Sequence, residues 1–391
     1  MYIAILGRQP VLGIAELEKV FGRENIEPIS PESALVDTEA LEIQRLGGVM
    51  KAGKIIVTFK KADWSQMNQK IIQYYIRKLS SMDGKITFGI SAYNLKISGY
   101  EVQKTGIILK RKLKQNGVSL RLIPNTESAL STATSHHNKL GLSENKIELI
   151  IVRADNGMIY AAESTGSQNI TAYANRDQQR PKRDPYVGML PPKLAQIMVN
   201  LAVGGLSFKK PPIVLDPFCG TGVILQEALL MGYLACGTDL SEKMSDYSRQ
   251  NLEWLEKKYP NIPDWRVSVG DATETKWNKP IDAIVSETYL GQPFSAPPPK
   301  EKLIEVKNNC NHIIGVFLKN LSTQITSGAP VCIAVPAWRD INGDFTHLPL
   351  ISKIGDYGYE YYEFKNIKRN ELLYYRPDQI VARELLVLIK K

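Results

Sequence analysis

Three carboxylates follow three short apolar segments in the C-terminal half of the sequence. Asp216 follows the apolar run of "IVLD", Asp239 ends "LACGTD" and Asp271 ends "WRVSVGD". Short apolar runs alternate here with helical patterns, which predicts parallel strands whose carboxyl ends meet at one edge of a sheet. At that edge we expect Asp239 to accept hydrogen bonds from ribose hydroxyls and Asp271 to accept one from an adenine amino group.

A glycine-bearing turn joins the first of these strands to the next helix, in "LDPFCGTGVILQEAL". Gly220 and Gly222 let the backbone approach a ligand closely and offer its N–H groups as donors. No Lys-Ser/Thr pair follows the second glycine, and Leu225 stands where a dinucleotide fingerprint would have its third glycine. The turn is therefore not a Walker loop, and a dinucleotide with its pyrophosphate is a less favoured ligand.

A fourth strand is predicted in "IDAIVSETYLGQPF", residues 281–294, and it also ends in a carboxylate. Glu287 is followed by Thr288, Tyr289 and Gly291. The tip of a strand in an open α/β sheet is where such folds hold their reacting groups. We therefore expect Glu287 and Tyr289 to face the same ligand site as the three aspartates.

Several of these segments together resemble a known enzyme family. "LDPFCGTG", "GTDLS" and "VGDAT" are similar to the cofactor motifs of Rossmann-type S-adenosylmethionine-dependent methyltransferases. The connector "RPKRDPYVGMLPPKLAQIMVNLA" and the stretch "ATSHHNKLG" resemble THUMP-containing tRNA guanine-N2-methyltransferases, the archaeal and eukaryotic group that acts on guanosine ten. The resemblance implies S-adenosyl-L-methionine as the cofactor, tRNA as the partner and N2-methylation of a guanosine in tRNA as the activity.

The resemblance also assigns roles to individual residues. It implies that the first turn cradles the methionine part of the cofactor, that the second and third acids hold the ribose and the adenine, and that "MLPPK", residues 189–193, closes over the cofactor. The cofactor-binding residues expected from it are Asp216, Pro217, Cys219, Gly220, Gly222, Asp239, Asp271 and Pro191. Glu287 and Tyr289 are the expected catalytic residues.

The catalytic motif departs from the family pattern, which is D-P-P-Y-G. In "ETYLG" the acid is one methylene longer, both prolines are absent and the aromatic residue comes one position early. Three hypotheses remain open. Glu287 and Tyr289 do the usual work in a variant geometry, or the acceptor is another base or substrate, or the chain is a non-catalytic tRNA-binding protein that keeps the scaffold.

The elements that position these residues predict an α/β protein. Its C-terminal half is expected to be a Rossmann-type methyltransferase domain, with a doubly wound, mostly parallel sheet and an antiparallel edge. The N-terminal half is expected to be an α+β ferredoxin-like domain followed by a THUMP RNA-binding domain. The expected boundaries are 1–60, 61–172, a linker at 173–192, and 193–391.

Charge and composition indicate the class of partner. Residues 51–150 carry 17 Lys and Arg against 6 Asp and Glu, and such a concentration of positive charge favours a polyanion. The four cysteines are widely spaced and no histidine cluster accompanies them, so we expect neither a metal site nor disulfides. No long apolar run or signal peptide is evident, so we expect a cytoplasmic protein without a membrane partner, monomeric by preference.

Overall fold

The computed structural model describes residues 1–60, 63–82, 84–184, 190–277 and 280–391. The chain divides into two compact units. Unit 1 comprises Met1–Ile14 and Glu24–Ala172, and unit 2 comprises Ala15–Arg23 and Tyr173–Lys391. Further division of residues 1–172 into a ferredoxin-like and a THUMP-like domain stays a prediction.

Unit 1 is built on one mixed sheet. Its strands are β1 (Tyr2–Leu6), β2 (Ile26–Ser30), β3 (Ser33–Val36), β4 (Val49–Lys60), β5 (Ile86–Tyr93), β6 (Leu120–Leu122), β7 (Lys146–Arg153) and β8 (Met158–Ser167). Their order across the sheet is β2-β3-β1-β4-β8-β7-β5-β6. β5 is parallel to β6 and β7, and the other pairs are antiparallel. The "DNG" sequence at residues 155–157, a typical hairpin turn, joins β7 and β8, with Gly157 at φ +84°.

Several helices of the N-terminal half start at side-chain caps. The helices are α1 (Pro10–Phe21), α2 (Trp64–Leu79), α3 (Gly99–Gln115), α4 (Thr132–His137) and α5 (Ile170–Gln178), with 3-10 turns at Arg23–Asn25 and Ile43–Arg45. The Asp63 carboxylate accepts a hydrogen bond from the Gln66 amide at the start of α2, and Ser98 with Glu101 forms a capping box on α3. α3 ends just before Gly117, which adopts φ +78°, a conformation that favours glycine after a helix.

Unit 2 contains the predicted doubly wound sheet. Its strands are β9 (Ile213–Asp216), β10 (Leu234–Asp239), β11 (Trp265–Val269), β12 (Ala283–Glu287), β13 (Pro330–Arg339), β14 (Phe345–Thr346), β15 (Tyr359–Tyr361), β16 (Leu373–Tyr374) and β17 (Val381–Lys390). The main order is β11-β10-β9-β12-β13-β17-β15, with β14 on β13 and β16 on β17. β9 to β13 are mutually parallel, while β17 runs antiparallel to β13 and β15. The predicted Rossmann-type sheet with an antiparallel edge is confirmed.

One helix precedes the first parallel strand of unit 2, and three more follow β9, β10 and β12. They are α6 (Pro192–Val203), α7 (Val223–Leu230), α8 (Glu242–Lys258) and α9 (Lys300–Ser322), with 3-10 turns at Pro349–Tyr357 and Arg369–Glu371. The central strands are buried on both faces; Val214, Ile284 and Ile333 have no exposed surface, as expected when helices cover a parallel sheet. The chain leaves β9 for β10 on one side, while β12 lies on the other. That reversal of strand order is where open α/β sheets bind ligands, beyond the carboxyl ends of their strands.

A membrane-spanning helix and a metal-binding cluster are both absent from the described residues. No helix in those ranges is both long and apolar enough to cross a membrane. No group of three or more His, Cys, Asp or Glu residues in them could hold a metal ion. The four cysteines are free thiols, and all but Cys236 are buried.

Candidate functional site

A cleft of about 1040 Å³ opens at the carboxyl edge of the unit 2 sheet. Its walls come from the turns after β9, β10, β11 and β12 and from one face of α9. Eight of the residues expected from the sequence line it, namely Asp216, Pro217, Cys219, Gly220, Asp239, Asp271, Glu287 and Tyr289. The strand ends thus bring the expected cofactor and acceptor residues to one space.

The turn after β9 is shaped by two glycines. Gly220 adopts φ +50° and nothing lies within 4 Å of where its Cβ would be, so its backbone faces open cleft. Gly222, at φ +81°, precedes α7, and a Cβ there would lie 2.9 Å from the Ser248 hydroxyl. A side chain at either position would meet the left-handed backbone penalty, and at Gly222 a steric clash as well. Gly222 therefore serves the packing beneath the turn.

Asp216 is buried at the end of β9, with 1% of its surface exposed. Its Oδ1 accepts hydrogen bonds from the Ser286 hydroxyl at 2.6 Å and from the Phe218 amide at 3.2 Å. Burial raises the pKa of this carboxyl from 3.8 to about 8, with only partial relief from the Ser286 bond. The Asp216 side chain thus connects β9 to β12 through its hydrogen bond with Ser286.

Cys219 is also buried, and its thiol lies 3.6 Å from the Ser248 hydroxyl. Burial raises the pKa of this thiol well above its ordinary value, with the carboxyl of Asp216 adding to the effect. A thiol held in its neutral form is a poor nucleophile. Cys219 therefore contributes to the shape of the cleft and not to its reactivity.

Asp239 links the turns after β9 and β10. One carboxylate oxygen accepts the Gly220 amide at 2.9 Å and the other accepts the Ser241 amide at 2.9 Å. These bonds fix the plane of a half-buried carboxylate at the cleft wall. A carboxylate held in this way can accept further hydrogen bonds from hydroxyl groups of a ligand.

Asp271 follows β11 and is held by its own turn. Its Oδ1 accepts the Thr273 amide at 2.8 Å and the Thr273 hydroxyl at 2.6 Å. Thr273 and Ala272 line the cleft beside it. The turn accounts for one oxygen of the carboxylate, so the turn-capping role and a ligand-binding role are compatible in this residue.

Glu287, at the end of β12, has a cation partner that could not be identified from the sequence. The Arg383 guanidinium, on β17, donates from Nε to Glu287 Oε1. The Arg383 side chain is 7% exposed and the Glu287 side chain is 15% exposed. The acid expected to orient the acceptor is therefore one half of a largely buried ion pair that still lines the cleft.

The residues after Glu287 are held firmly although the family prolines are absent. Thr288 donates to the Ala334 carbonyl twice, from its amide at 3.0 Å and from its hydroxyl at 2.9 Å. Gly291 adopts φ +81°, and a Cβ there would lie 2.8 Å from Val306. Tyr289 is 41% exposed and lines the cleft. Hydrogen bonds and a close-packed glycine thus constrain the turn that prolines would otherwise stiffen.

The connector contributes to the cleft from both sides of residues 185–189. Asp184 and Leu190 line it, and Asp184 accepts a hydrogen bond from Lys243 of α8 at 2.9 Å. Pro191, expected at the cofactor, caps α6 next to Leu190 and is not among the described residues that line the cleft. Met189, the first residue of the "MLPPK" stretch, lies outside the described residues.

Some lining residues were not foreseen from the sequence. Asn309 and His312 lie one helical turn apart on α9 and face the cleft, as does Lys243 on α8. Spacing of three residues places Asn309 and His312 on one helix face, but only the fold shows that this face meets the cleft. Both are free to contact a ligand or a substrate there.

The first curated proteins that match this chain share one name. The chain is 34% identical over 167 residues to the tRNA (guanine(10)-N2)-dimethyltransferase of Methanothermobacter thermautotrophicus, covering 42% of this chain and 44% of the relative. It is 35% identical over 132 residues to the Pyrococcus abyssi protein of that name, covering 32% and 37%. These matches span less than half the length of either relative. No protein family model matches the sequence.

A shorter relative is matched over most of its length. The probable tRNA (guanine(10)-N2)-dimethyltransferase of Methanothermococcus thermolithotrophicus is 32% identical over 135 residues, which cover 31% of this chain and 73% of the relative. Among solved structures, TrmN from Thermus thermophilus aligns with 100% of this chain and 99% of its own, with a TM-score of 0.50 and 15% identity. That likeness concerns the fold alone. The chain therefore belongs to the tRNA (guanine(10)-N2)-dimethyltransferase family.

Proposed function

We propose that this protein transfers a methyl group from S-adenosylmethionine to the exocyclic N2 amine of a guanosine in tRNA. The observation that carries the proposal is the single cleft where Asp239, Asp271 and Glu287 meet at the carboxyl ends of successive strands. Membership of a family named for guanine-N2 dimethylation of tRNA supports the choice of acceptor.

The hydrogen-bonding groups that line the cleft suit S-adenosylmethionine. The open space at Gly220 lets the backbone of the first turn reach the methionine part. Asp239, fixed by two amide bonds, would accept from the ribose hydroxyls, and Asp271 would accept from the adenine amine. The volume of about 1040 Å³ leaves room for a nucleoside-sized ligand and part of a base.

S-adenosylmethionine, when bound, supplies a methyl carbon on a positively charged sulfur, and the C–S electron pair stays on sulfur as the N–C bond forms. The chain must make the amine a better nucleophile, because its lone pair is delocalised into the guanine ring. Glu287 would accept a hydrogen bond from the amine N–H group, which localises the nitrogen lone pair and directs it at the methyl carbon. The same carboxylate would receive the proton that the nitrogen loses. Tyr289, 41% exposed at the cleft, would stack on the base.

RNA binding is proposed for unit 1, together with the ferredoxin-like and THUMP-like divisions of residues 1–60 and 61–172. α3 exposes Lys110, Arg111 and Lys114 to solvent. A groove of about 540 Å³ on α2 is lined by Lys70, Gln73, Tyr74, Arg77 and Lys78. Cations with an interleaved aromatic side chain suit phosphates and unstacked bases. A cytoplasmic location goes with this proposal, since tRNA is the substrate.

The proposal is tested by incubating the protein with unfractionated tRNA and S-adenosylmethionine labelled in the methyl group, followed by nucleoside mass spectrometry. The expected product is N2-methylated guanosine. Absence of cofactor binding by calorimetry would overturn the proposal. A methylated nucleoside other than N2-methylguanosine would keep the methyltransferase and replace its acceptor.

Glu287→Ala is expected to abolish transfer and to leave the affinity for S-adenosylmethionine close to that of the wild type, because the cofactor contacts lie on other strands. The matched control is Glu360→Ala, which removes an exposed carboxylate from β15 of the same unit. Transfer rate and cofactor affinity are measured for both. Retained transfer in Glu287→Ala would exclude Glu287 as the acid that orients the amine.

A non-catalytic tRNA-binding protein is the second candidate, and one observation favours it. The charge of Glu287 is already compensated by Arg383, as in a purely structural ion pair. This candidate predicts tRNA binding with no transfer of labelled methyl groups at any salt concentration. The same incubation therefore separates the two functions.

A further inference from the structure

We infer that Arg383 is a positioning residue for the acceptor side of the cleft, and that it acts through Glu287. Its guanidinium holds Oε1 of Glu287 and thereby sets the direction in which the second carboxylate oxygen faces the substrate amine. The inference rests on the proposed function, because it concerns the acid of that site. Arg383 is not among the described residues that line the cleft, so its effect on substrate passes through Glu287.

Strand register places the two residues on one face of the sheet. Glu287 pairs with Ala334 on β13, and Arg383 pairs with Pro336 on the other side of β13. Directly paired residues share a face, and so do residues two apart on one strand. The Arg383 side chain must therefore reach across β13 to meet Glu287. Ala334 and Pro336, which lie between them on that face, are short enough to leave the path open.

Burial restricts the orientations that the two side chains of this pair can adopt. Long exposed side chains sample many rotamers, whereas Arg383 and Glu287 are 7% and 15% exposed. A mostly buried carboxylate that loses its cation must either take up a proton or rotate toward water. Either change would remove the oriented acceptor from the turn that Thr288 and Gly291 hold in place.

The neighbouring residue supplies a structural pair for comparison. Glu384, 3% exposed, accepts from His347 Nδ1 at 2.5 Å. Consecutive residues of a strand face opposite sides, so Glu384 points away from the face that carries Arg383. His347 and Glu384 are also absent from the described lining of the cleft. Breaking this second pair leaves the buried Glu384 carboxylate on the same strand without its His347 partner and does not touch Glu287. The His347 side chain is 38% exposed, so its loss is expected to cost less than the loss of the buried Arg383.

The experiment compares Arg383→Ala, Arg383→Lys and His347→Ala with the wild-type chain. Each protein is measured for kcat and KM with tRNA, for cofactor affinity by calorimetry and for thermal unfolding. We expect Arg383→Ala to lower kcat about 100-fold, as for a misplaced catalytic group, with cofactor affinity close to wild type. Arg383→Lys should recover about tenfold of that loss, because a cation is restored without the planar geometry of guanidinium.

His347→Ala should lower thermal stability, by less than Arg383→Ala does, and keep kcat close to the wild-type value. Wild-type kcat in Arg383→Ala, or an equal loss of kcat in His347→Ala, would overturn the positioning role while leaving the proposed function in place. A wild-type chain that transfers no methyl group would overturn the proposed function and the inference together. The two failures are therefore distinguishable.

Discussion

The contribution of Asp216 to stability falls as pH rises, whereas that of most carboxylates grows. Its pKa is raised to about 8 by burial, against 3.8 in an unfolded chain, so the folded state holds a proton that the unfolded state has released. A raised pKa stabilises the fold fully below the unfolded value, and that contribution is lost as pH rises through the folded value. The loss is spread over roughly pH 4 to 8, and each pH unit within it is worth on the order of 1 kcal/mol.

Asp216→Asn is therefore expected to flatten the pH dependence of stability. Asparagine keeps an oxygen that can accept from Ser286 and Phe218, and it carries no proton to lose. The free energy of unfolding in urea, measured at intervals from pH 5 to pH 8.5, should fall more steeply for the wild type than for the variant. Parallel curves for the two proteins would show that Asp216 does not titrate in this way.

Glycines at the two ends of α7 show what a helix boundary requires: Gly222 precedes the helix in the turn after β9, and Gly232 follows its last turn. Gly222 and Gly232 have φ of +81° and +86°, but only Gly222 is crowded, with Ser248 2.9 Å from a Cβ. Gly232 has open space around that position. The pair therefore separates the cost of a left-handed backbone from the cost of a clash.

Gly222→Ala is expected to destabilise unit 2 more than Gly232→Ala. The backbone conformation costs both variants about 1–2 kcal/mol. Crowding against the helix α8 residue Ser248 adds about 1–3 kcal/mol in Gly222→Ala alone. Urea denaturation of both variants measures the difference, and cofactor calorimetry should show weaker binding only for Gly222→Ala. Equal destabilisation would mean that α8 yields to the added methyl group.

Elements of unit 2 were predictable because their patterns are local. The five parallel strands β9 to β13 follow from short apolar runs alternating with helical segments, and Asp239 and Asp271 follow from their positions at strand ends. The partner of Glu287 was not predictable, because Arg383 lies 96 residues away and meets it only through the register of β12, β13 and β17. Long-range pairing of this kind leaves no periodic signal in the sequence.

The stretch "ATSHHNKLG", which carries part of the family resemblance, has a packing explanation in unit 1. Leu140 is fully buried against Ile123 and Leu130. Gly141 adopts φ +81°, and a Cβ there would lie 2.5 Å from the Gly166 amide. The leucine and glycine of this motif are thus fixed by the fold, whereas His137 is exposed and His136 is half-buried. A motif can mark a family without marking its chemistry.

At the scale of the whole molecule, charge and chemistry fall in different units. The 17 Lys and Arg against 6 Asp and Glu of residues 51–150 belong to unit 1, while the cleft at the β9–β12 strand ends belongs to unit 2. In the proposed function, unit 1 therefore governs tRNA affinity and unit 2 governs transfer. Variants of one unit should leave the binding constant measured for the other unchanged.

Replacing Lys110 and Arg111 on α3 with glutamine is expected to weaken tRNA binding and reduce its salt dependence, with cofactor affinity unchanged. Each lost phosphate contact lowers the slope of log affinity against log salt by about 0.7 to 0.9, so the double variant should lose about 1.5. Filter binding across a salt series measures the slope. The control removes two exposed charges from unit 2, Lys257→Gln with Lys353→Gln. An equal loss of slope in this control would contradict a phosphate-binding role specific to α3.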